Sequence, residues 1–250
     1  MSPPGATVVF MTEQALFDLP SGSDSWHTGR RVGFDVETTS RDPRTARIVS
    51  AALVEFDAGP DGEQTVRTRE WLVNPGVEIP AETTAIHGIS TEHAVAEGQP
   101  AADAVAQLAG ALTTEFEQGT PVVVMNAPYD LTVLREEAAR HGVGFPEPSP
   151  VIDPLVIDKQ VDKYRRGKRT LSDLCGVYEV LLGDAHSAAP DAKAAVQVAD
   201  CLAAAYPQLQ IPAEELHELQ IRWKAEQAAD FQAYLRRTKP DAVISGAWPL

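Results

Sequence analysis

Three apolar runs follow one another between residues 32 and 73, and they restrict the fold more than any other feature of the chain. Val32–Val36, Ile48–Phe56 and Thr65–Val73 are strand-like, the last alternating around Val66, Thr68, Glu70 and Leu72. Their connections are short, and Ala58-Gly-Pro-Asp-Gly62 is a strong turn signal. Strands joined this way form an antiparallel meander. Alternation of helix and strand follows. Ala101–Phe116 sets Ala101, Val105, Leu108, Ala109 and Leu112 on one helical face. Pro121–Met125 is a strand-type run, a helix opens at about Pro128 and runs to His141, and Pro150–Ile152 is a short strand. Leu155–Tyr164, Thr170–Leu182 and Ala188–Tyr206 read as helices. The expectation is an α/β domain with a mixed five-stranded sheet, an antiparallel meander extended by parallel strands, flanked by helices.

The ends differ from the middle. Residues 1–28 hold Pro, Gly, Ser and Thr clusters with little periodicity and are expected to be a poorly ordered leader. Pro207 to Pro212 breaks the pattern, and Ala213–Arg237 is a long amphipathic helix carrying Leu216, Leu219, Trp223, Ala228, Phe231 and Leu235. The expected organisation is therefore a leader (1–28), a globular domain (29–206) and a C-terminal helix and tail (207–250). No apolar run approaches the ~20 residues that span a bilayer, and Val8–Met11 has no basic residue ahead of it, as a secretory signal requires. Cys175 and Cys201 are too few for a disulfide scaffold. A cytoplasmic protein with no membrane partner is expected.

The charge excludes one way of working. Lys and Arg number 21 against 36 Asp and Glu, a net charge of −15. Such a chain does not coat nucleic acid by bulk attraction, so phosphates must meet a local basic patch or bound cations.

Three acidic motifs sit at element ends. Asp35 and Glu37 are two apart on the first strand, so both carboxylates face one side. A divalent cation would offset their repulsion; a solvated strand end is the plainer account. Asp130 follows Asn126 at a strand-to-helix junction. It is either a helix-start carboxylate with Asn126 as the cap, or a third acid directed at a metal. His186 lies in a loop five residues before Asp191, which falls in the first turns of the next helix. A solvated loop histidine is the plain account there.

Taken together, the Asp-x-Glu pair, the single Asp and the His-x4-Asp, in this order, resemble the DnaQ-like (DEDDh) 3′–5′ exonucleases of the ribonuclease H-like fold, among them the DNA polymerase III epsilon type. Asp35-x-Glu37-Thr38-Thr39, Asn74-Pro75, Ile79-Pro80, Ile86-His87-Gly88-Ile89 and Asn126-Ala127 before Asp130 match family segments over roughly residues 30 to 206. Ser40, Met125 and Tyr129 stand where the family often has Gly, His and Phe, and none of these removes a ligand. The resemblance implies that Asp35, Glu37, Asp130 and Asp191 bind two divalent metal ions, with His186 as general base, and that nucleoside 5′-monophosphates are released from nucleic acid 3′ ends. Independently, four carboxylates are hard oxygen donors suited to Mg²⁺ or Mn²⁺, and an imidazole takes a proton near neutral pH. By resemblance Thr38 lies near the terminal nucleotide, and His87 and Ile89 border the same pocket. Asn126 supports the phosphate or only caps its helix.

Residues 158–169 supply local positive charge through Lys159, Lys163, Arg165, Arg166, Lys168 and Arg169, with Tyr164 for stacking. A mobile basic loop over 163–169 is expected to capture single-stranded DNA or RNA, the alternative being an ordinary solvated loop. Arg41, Arg44 and Arg47 form a second patch. The C-terminal helix packs on the domain, mediates a homodimer or docks a partner such as a polymerase. DNA is favoured over RNA, because the first motif and the Ile-His-Gly-Ile segment look most epsilon-like. Two other readings remain beside the exonuclease: a non-catalytic or weakly catalytic polymerase-associated binding module, and a small-molecule phosphohydrolase.

Overall fold

In a computed structural model, which describes residues 25–58, 63–183 and 186–250, the first strand sorts its side chains by parity. On β1 (Arg31–Thr38), Val32, Phe34 and Val36 enter one hydrophobic core, while Gly33, Asp35 and Glu37 face the other side of the sheet. β1 pairs antiparallel with β2 (Ile48–Ala58), and β2 with β3 (Gln64–Asn74). A two-residue strand, β4 (Gln99–Pro100), lies parallel to the end of β3. β5 (Val122–Val123) runs parallel to β1, and β6 (Val151–Ile152) parallel to β5. The order is β4-β3-β2-β1-β5-β6. The expected meander and parallel extension are present, with β4 as a sixth strand. No apolar run announces β4. It pairs because Gly98 lets the backbones close up: a Cβ there would lie 2.6 Å from the Asn74 nitrogen. The turn signal at 59–62 falls outside the described residues.

Helices α1 (Ala81–His87) and α2 (Thr91–Glu97) follow β3. α3 (Ala101–Glu117) and α4 (Pro128–His141) cover one face of the sheet. Leu108, Leu112, Leu131 and Leu134 pack there on Phe34, Leu53 and Trp71. α5 (Pro154–Val161), α6 (Leu171–Tyr178) and α7 (Ala188–Ala205) serve the other face. There Ile157, Leu174, Val196 and Leu202 meet Val54, Phe56, Val123 and Ile152. Each fully buried side chain of this size contributes about 1.5–3 kcal/mol. α5 and α6 end earlier than their apolar patterns suggest. The chain wraps around buried Asp158, which accepts from Arg165 at 2.6 Å, from the Tyr178 hydroxyl at 2.9 Å and from Arg169. Glu179, at φ 57°, then closes α6.

The C-terminal helix α8 (Ala213–Leu235) packs on the domain along the outer edge of β6. An edge strand leaves backbone groups unpaired, and α8 pairs them with side chains. The Val151 N–H donates to His217 Nδ1 at 3.0 Å, Gln220 Nε2 donates to the Val151 carbonyl at 3.0 Å, and the Asp153 N–H donates to Gln220 Oε1 at 2.7 Å. The tail then folds back. Trp248 is buried, its ring 4.9 Å from that of His217. Residues 1–24 of the leader lie outside the described residues, but Trp26 is buried and donates from Nε1 to the Leu209 carbonyl at 2.9 Å. Among the described residues no helix is long and apolar enough to cross a membrane, and Cys175 and Cys201 are free thiols.

Candidate active site

The acidic face of β1 is brought against α7 by a glycine. A Cβ on Gly33 would lie 2.4 Å from the Ala192 carbonyl oxygen, so only glycine allows this approach. Asp191, in the first turn of α7, thereby reaches Asp35 and Glu37. One oxygen from each of the three lies within 4.8 Å of the others. Asp191 Oδ2 accepts from the His186 N–H at 3.3 Å, while Asp191 Oδ1 is buried with no partner in the protein.

Asp130 arrives from the other side of the sheet, in the first turn of α4. Its Oδ1 accepts from the Val36 N–H at 3.1 Å, which ties the second acidic motif to the backbone between Asp35 and Glu37. The junction ahead of it is unusual. Asn126 adopts φ 61°, and its N–H and that of Ala127 both donate to the buried carboxylate of Asp153, at 3.0 and 3.1 Å. Leu155 N–H and Trp248 Nε1 complete the set at 2.9 and 3.2 Å. Asn126 therefore turns the chain, and α4 begins without a side-chain cap. Asp153 was absent from the acidic constellation read from sequence. The pair Asp153-Pro154, a cap followed by proline at the first helical position, was the available signal.

Crowded carboxylates raise one another. Burial, then Asp130, Glu37 and Asp191, hold Asp35 well above the usual carboxylate range. Burial, then Asp191, lifts Glu37 to about 7. Burial also raises Asp130, against the opposing Val36 N–H, and raises Asp191. Like charges in a desolvated site behave this way when no cation is counted.

The remaining predicted residues fall in three places. His186 stands exposed at φ 65° before α7, its backbone bound to Asp191. Thr38 lies at the end of β1, its hydroxyl 2.5 Å from that of Tyr129, and both hydroxyls reach the Ser40 carbonyl. The phenol that replaces the family's frequent Phe thus anchors Thr38. Gly88, at φ 77°, ends α1 and sets His87 and Ile89 on either side, with the Ile89 N–H donating to His87 Nδ1 at 3.2 Å. Burial pushes the His87 imidazole down, partly offset by the Thr38 backbone. The basic segment is divided. Arg165 pairs with Asp158 and Asp162, and Arg169 with Asp158, whereas Arg166 and Lys168 are exposed. In the second patch Arg47 is bound to buried Glu137, leaving Arg41 and Arg44 outward.

The donor set fits a divalent cation. It is all carboxylate oxygen, two groups from β1 and one from α7, and includes the partnerless Asp191 Oδ1.

Sheet order and carboxylate cluster together define a ribonuclease H-like domain with an acidic centre at one end of β1. The profile of the RNase_T family, described as exonuclease, matches residues 32–199, and the chain belongs to that family. The DnaQ-like resemblance is thereby borne out, and the family is metal-dependent. The DNA polymerase III subunit epsilon-like protein of Rhodobacter capsulatus is 38% identical over 52% of this chain and 17% of its own length. The DNA polymerase III subunit epsilon of Rickettsia conorii is 29% identical over 60% of this chain and 63% of its own. The chain thus covers less than two thirds of either relative. The crystal structure of E. coli Exonuclease I in complex with a dT13 oligonucleotide shares the fold, with a TM-score of 0.60 at 18% identity, over 72% of this chain and 42% of that one.

Proposed function

We propose that the protein hydrolyses phosphodiester bonds stepwise from the 3′ end of single-stranded nucleic acid, DNA in preference to RNA, releasing nucleoside 5′-monophosphates. The observation that carries this reading is the convergence of Asp35, Glu37 and Asp191 with a partnerless Asp191 oxygen. The names of the relatives support it. Asp35, Glu37, Asp130 and Asp191 would hold the metal ions. Two such ions, Mg²⁺ or Mn²⁺, would supply Lewis-acid activation of water and charge compensation at the departing 3′ oxygen. His186, exposed beside Asp191, takes the proton from the water. Thr38, held by Tyr129, lies against the terminal sugar, with His87 and Ile89 as the wall of the same pocket. Asn126 shapes the junction near the phosphate. Arg166 and Lys168 meet the backbone of the strand, while Arg165 keeps their loop in shape through Asp158. Because two relatives are named as DNA polymerase III subunits or subunit-like, a polymerase is the first partner to seek by co-purification.

The test is a 5′-labelled oligonucleotide, as DNA and as matching RNA, incubated with Mg²⁺ or Mn²⁺ beside EDTA and Asp35→Asn controls. A ladder that shortens from the 3′ end and vanishes in both controls is expected, with DNA the faster. Intact substrate under every metal, with the protein folded, refutes the reading.

A further inference from the structure

Ten of the 21 basic side chains of this acidic protein form an ion pair among the described residues. Arg30, Arg31, Arg47, Arg69, Arg165 and Arg169 each form an ion pair. Lys159 and Lys224 differ. Neither forms an ion pair among the described residues, yet both line one cavity of about 820 Å³ between α5, α8 and the tail. They lie close enough that burial and then the charge of Lys224 push the Lys159 ammonium down. Asp153 and Asp158 offset part of that repulsion, and an anion entering the cavity would offset more of it.

Two aromatic rings complete the wall. Phe231 is 51% exposed and Tyr234 62% exposed, both on the last turns of α8, and Arg237 stacks 5.8 Å from the Tyr234 ring centre. The acids at this wall are Glu226 and Asp230, and Asp230 is held by Lys163 at 3.0 Å. Unpaired cations interleaved with open rings suit a ligand that carries both anionic groups and flat π-faces. A single nucleic-acid strand has both in every residue. An acidic peptide satisfies the lysines and leaves the rings unused.

We propose that this cavity is a second nucleic-acid site, outside the catalytic cluster, where Lys159 and Lys224 take phosphates of the strand upstream of its 3′ end and Phe231 and Tyr234 take its bases. It rests on the exonuclease reading for the identity of the strand. Its residues other than Lys159, Gln160 and Lys163 lie beyond the span matched by the family profile, so most of its wall belongs to this chain's own extension. A strand of about 20 nucleotides spans roughly 70 Å even at duplex spacing, against a radius of gyration of about 18 Å for a domain of this length. It can therefore occupy both sites, and a tetranucleotide cannot be assumed to.

The experiment measures binding without turnover. Fluorescence anisotropy in EDTA follows oligothymidylates of about 20 and about 4 nucleotides on the wild type, on Lys159→Gln/Lys224→Gln and on Phe231→Ala/Tyr234→Ala. Hydrolysis of both lengths is measured in parallel with Mn²⁺. Each double variant is expected to lose roughly tenfold in affinity for the long strand, at an unchanged melting temperature. In the lysine variant the slope of log K against log salt becomes shallower by about 1.4, two phosphates at about 0.7 each. KM for the long strand rises while turnover of the short one is retained. If both variants bind the long strand like the wild type, with the same salt slope, the inference is wrong, and the exonuclease reading survives wherever hydrolysis persists. If the variants lose binding while no protein hydrolyses anything, the second site stands and the exonuclease reading falls. A polyglutamate peptide that binds through Lys159 and Lys224 where the long strand does not bind at all overturns the proposal in favour of a protein partner. Because the rings are exposed, the aromatic variant decides the question even if the lysine variant fails to fold.

Discussion

Asp191 has one oxygen bound to the His186 amide and one buried with no partner, which is an expensive arrangement for a carboxylate unless a cation completes it. Asp191→Asn is expected to weaken Mn²⁺ binding, read by calorimetry, by on the order of a hundredfold or more, since even outer partners of metal ligands are worth 10–100-fold. The raised carboxylates also set a pH dependence. A group whose folded pKa lies above its unfolded value binds more protons when folded, so stability falls as pH rises between the two. For Glu37 that window runs from about 4.5 to about 7. The metal-free protein should therefore lose melting temperature as pH rises through it, and Glu37→Gln should flatten the decline, as should saturating Mn²⁺ in the wild type. Calorimetry at several pH values checks this, and a wild-type profile that is flat or rising across the window contradicts it. At this scale the strand period in the sequence already put Asp35 and Glu37 on one face. The partnerless Asp191 oxygen was not legible, because it depends on what α7 excludes from around it.

Between elements, a single glycine sets the distance from α7 to β1. Gly33→Ala puts a methyl 2.4 Å from the Ala192 carbonyl, against backbone that yields poorly. Overpacking of this kind costs about 1–3 kcal/mol, and the shift of Asp191 is expected to lower turnover more than tenfold, more than the fall in melting temperature explains. A glycine inside an apolar strand is itself a sequence signal for close backbone approach. The Asp153 junction had a weaker signal. Trp248→Phe keeps a buried ring but removes one of four donors to Asp153. It is expected to cost about 1–3 kcal/mol and to weaken Mn²⁺ binding through the Asn126-to-Asp130 turn, both measurable on one preparation. The basic segment 158–169 shows where a sequence run misleads. Its charges are contiguous in the chain, but Asp158 sits on the buried face of α5 and draws Arg165 and Arg169 inward. Which cations face outward follows from that one carboxylate.

For the whole molecule, the extension after residue 206 is built into the domain. Ala213 and Leu216 belong to the second core, and His217 and Gln220 satisfy the backbone of β6. Truncation after Tyr206 would bare that edge and remove Trp248 from Asp153. The shortened chain is expected to melt well below the full one and to aggregate; a soluble fragment with the full chain's melting temperature would refute this integration. The meander, the parallel extension, the helices from Ala101 onward and the acids of the centre were legible in the sequence because each rests on local periodicity or on a motif at an element end. Two-residue β4, the folding-back of the tail and the wrap of α8 along β6 were not, since they are held by backbone contacts and single hydrogen bonds between distant residues. By itself the sequence determined the mixed character of the sheet, a meander followed by parallel strands, and the four carboxylates on three separate elements. Only the tertiary structure decided that three of them meet, that Asp130 binds the backbone between the first two, and that a tryptophan from the tail braces the turn before it. The physical reason is range: periodicity acts over a few residues, whereas close approach and burial join residues more than 90 positions apart.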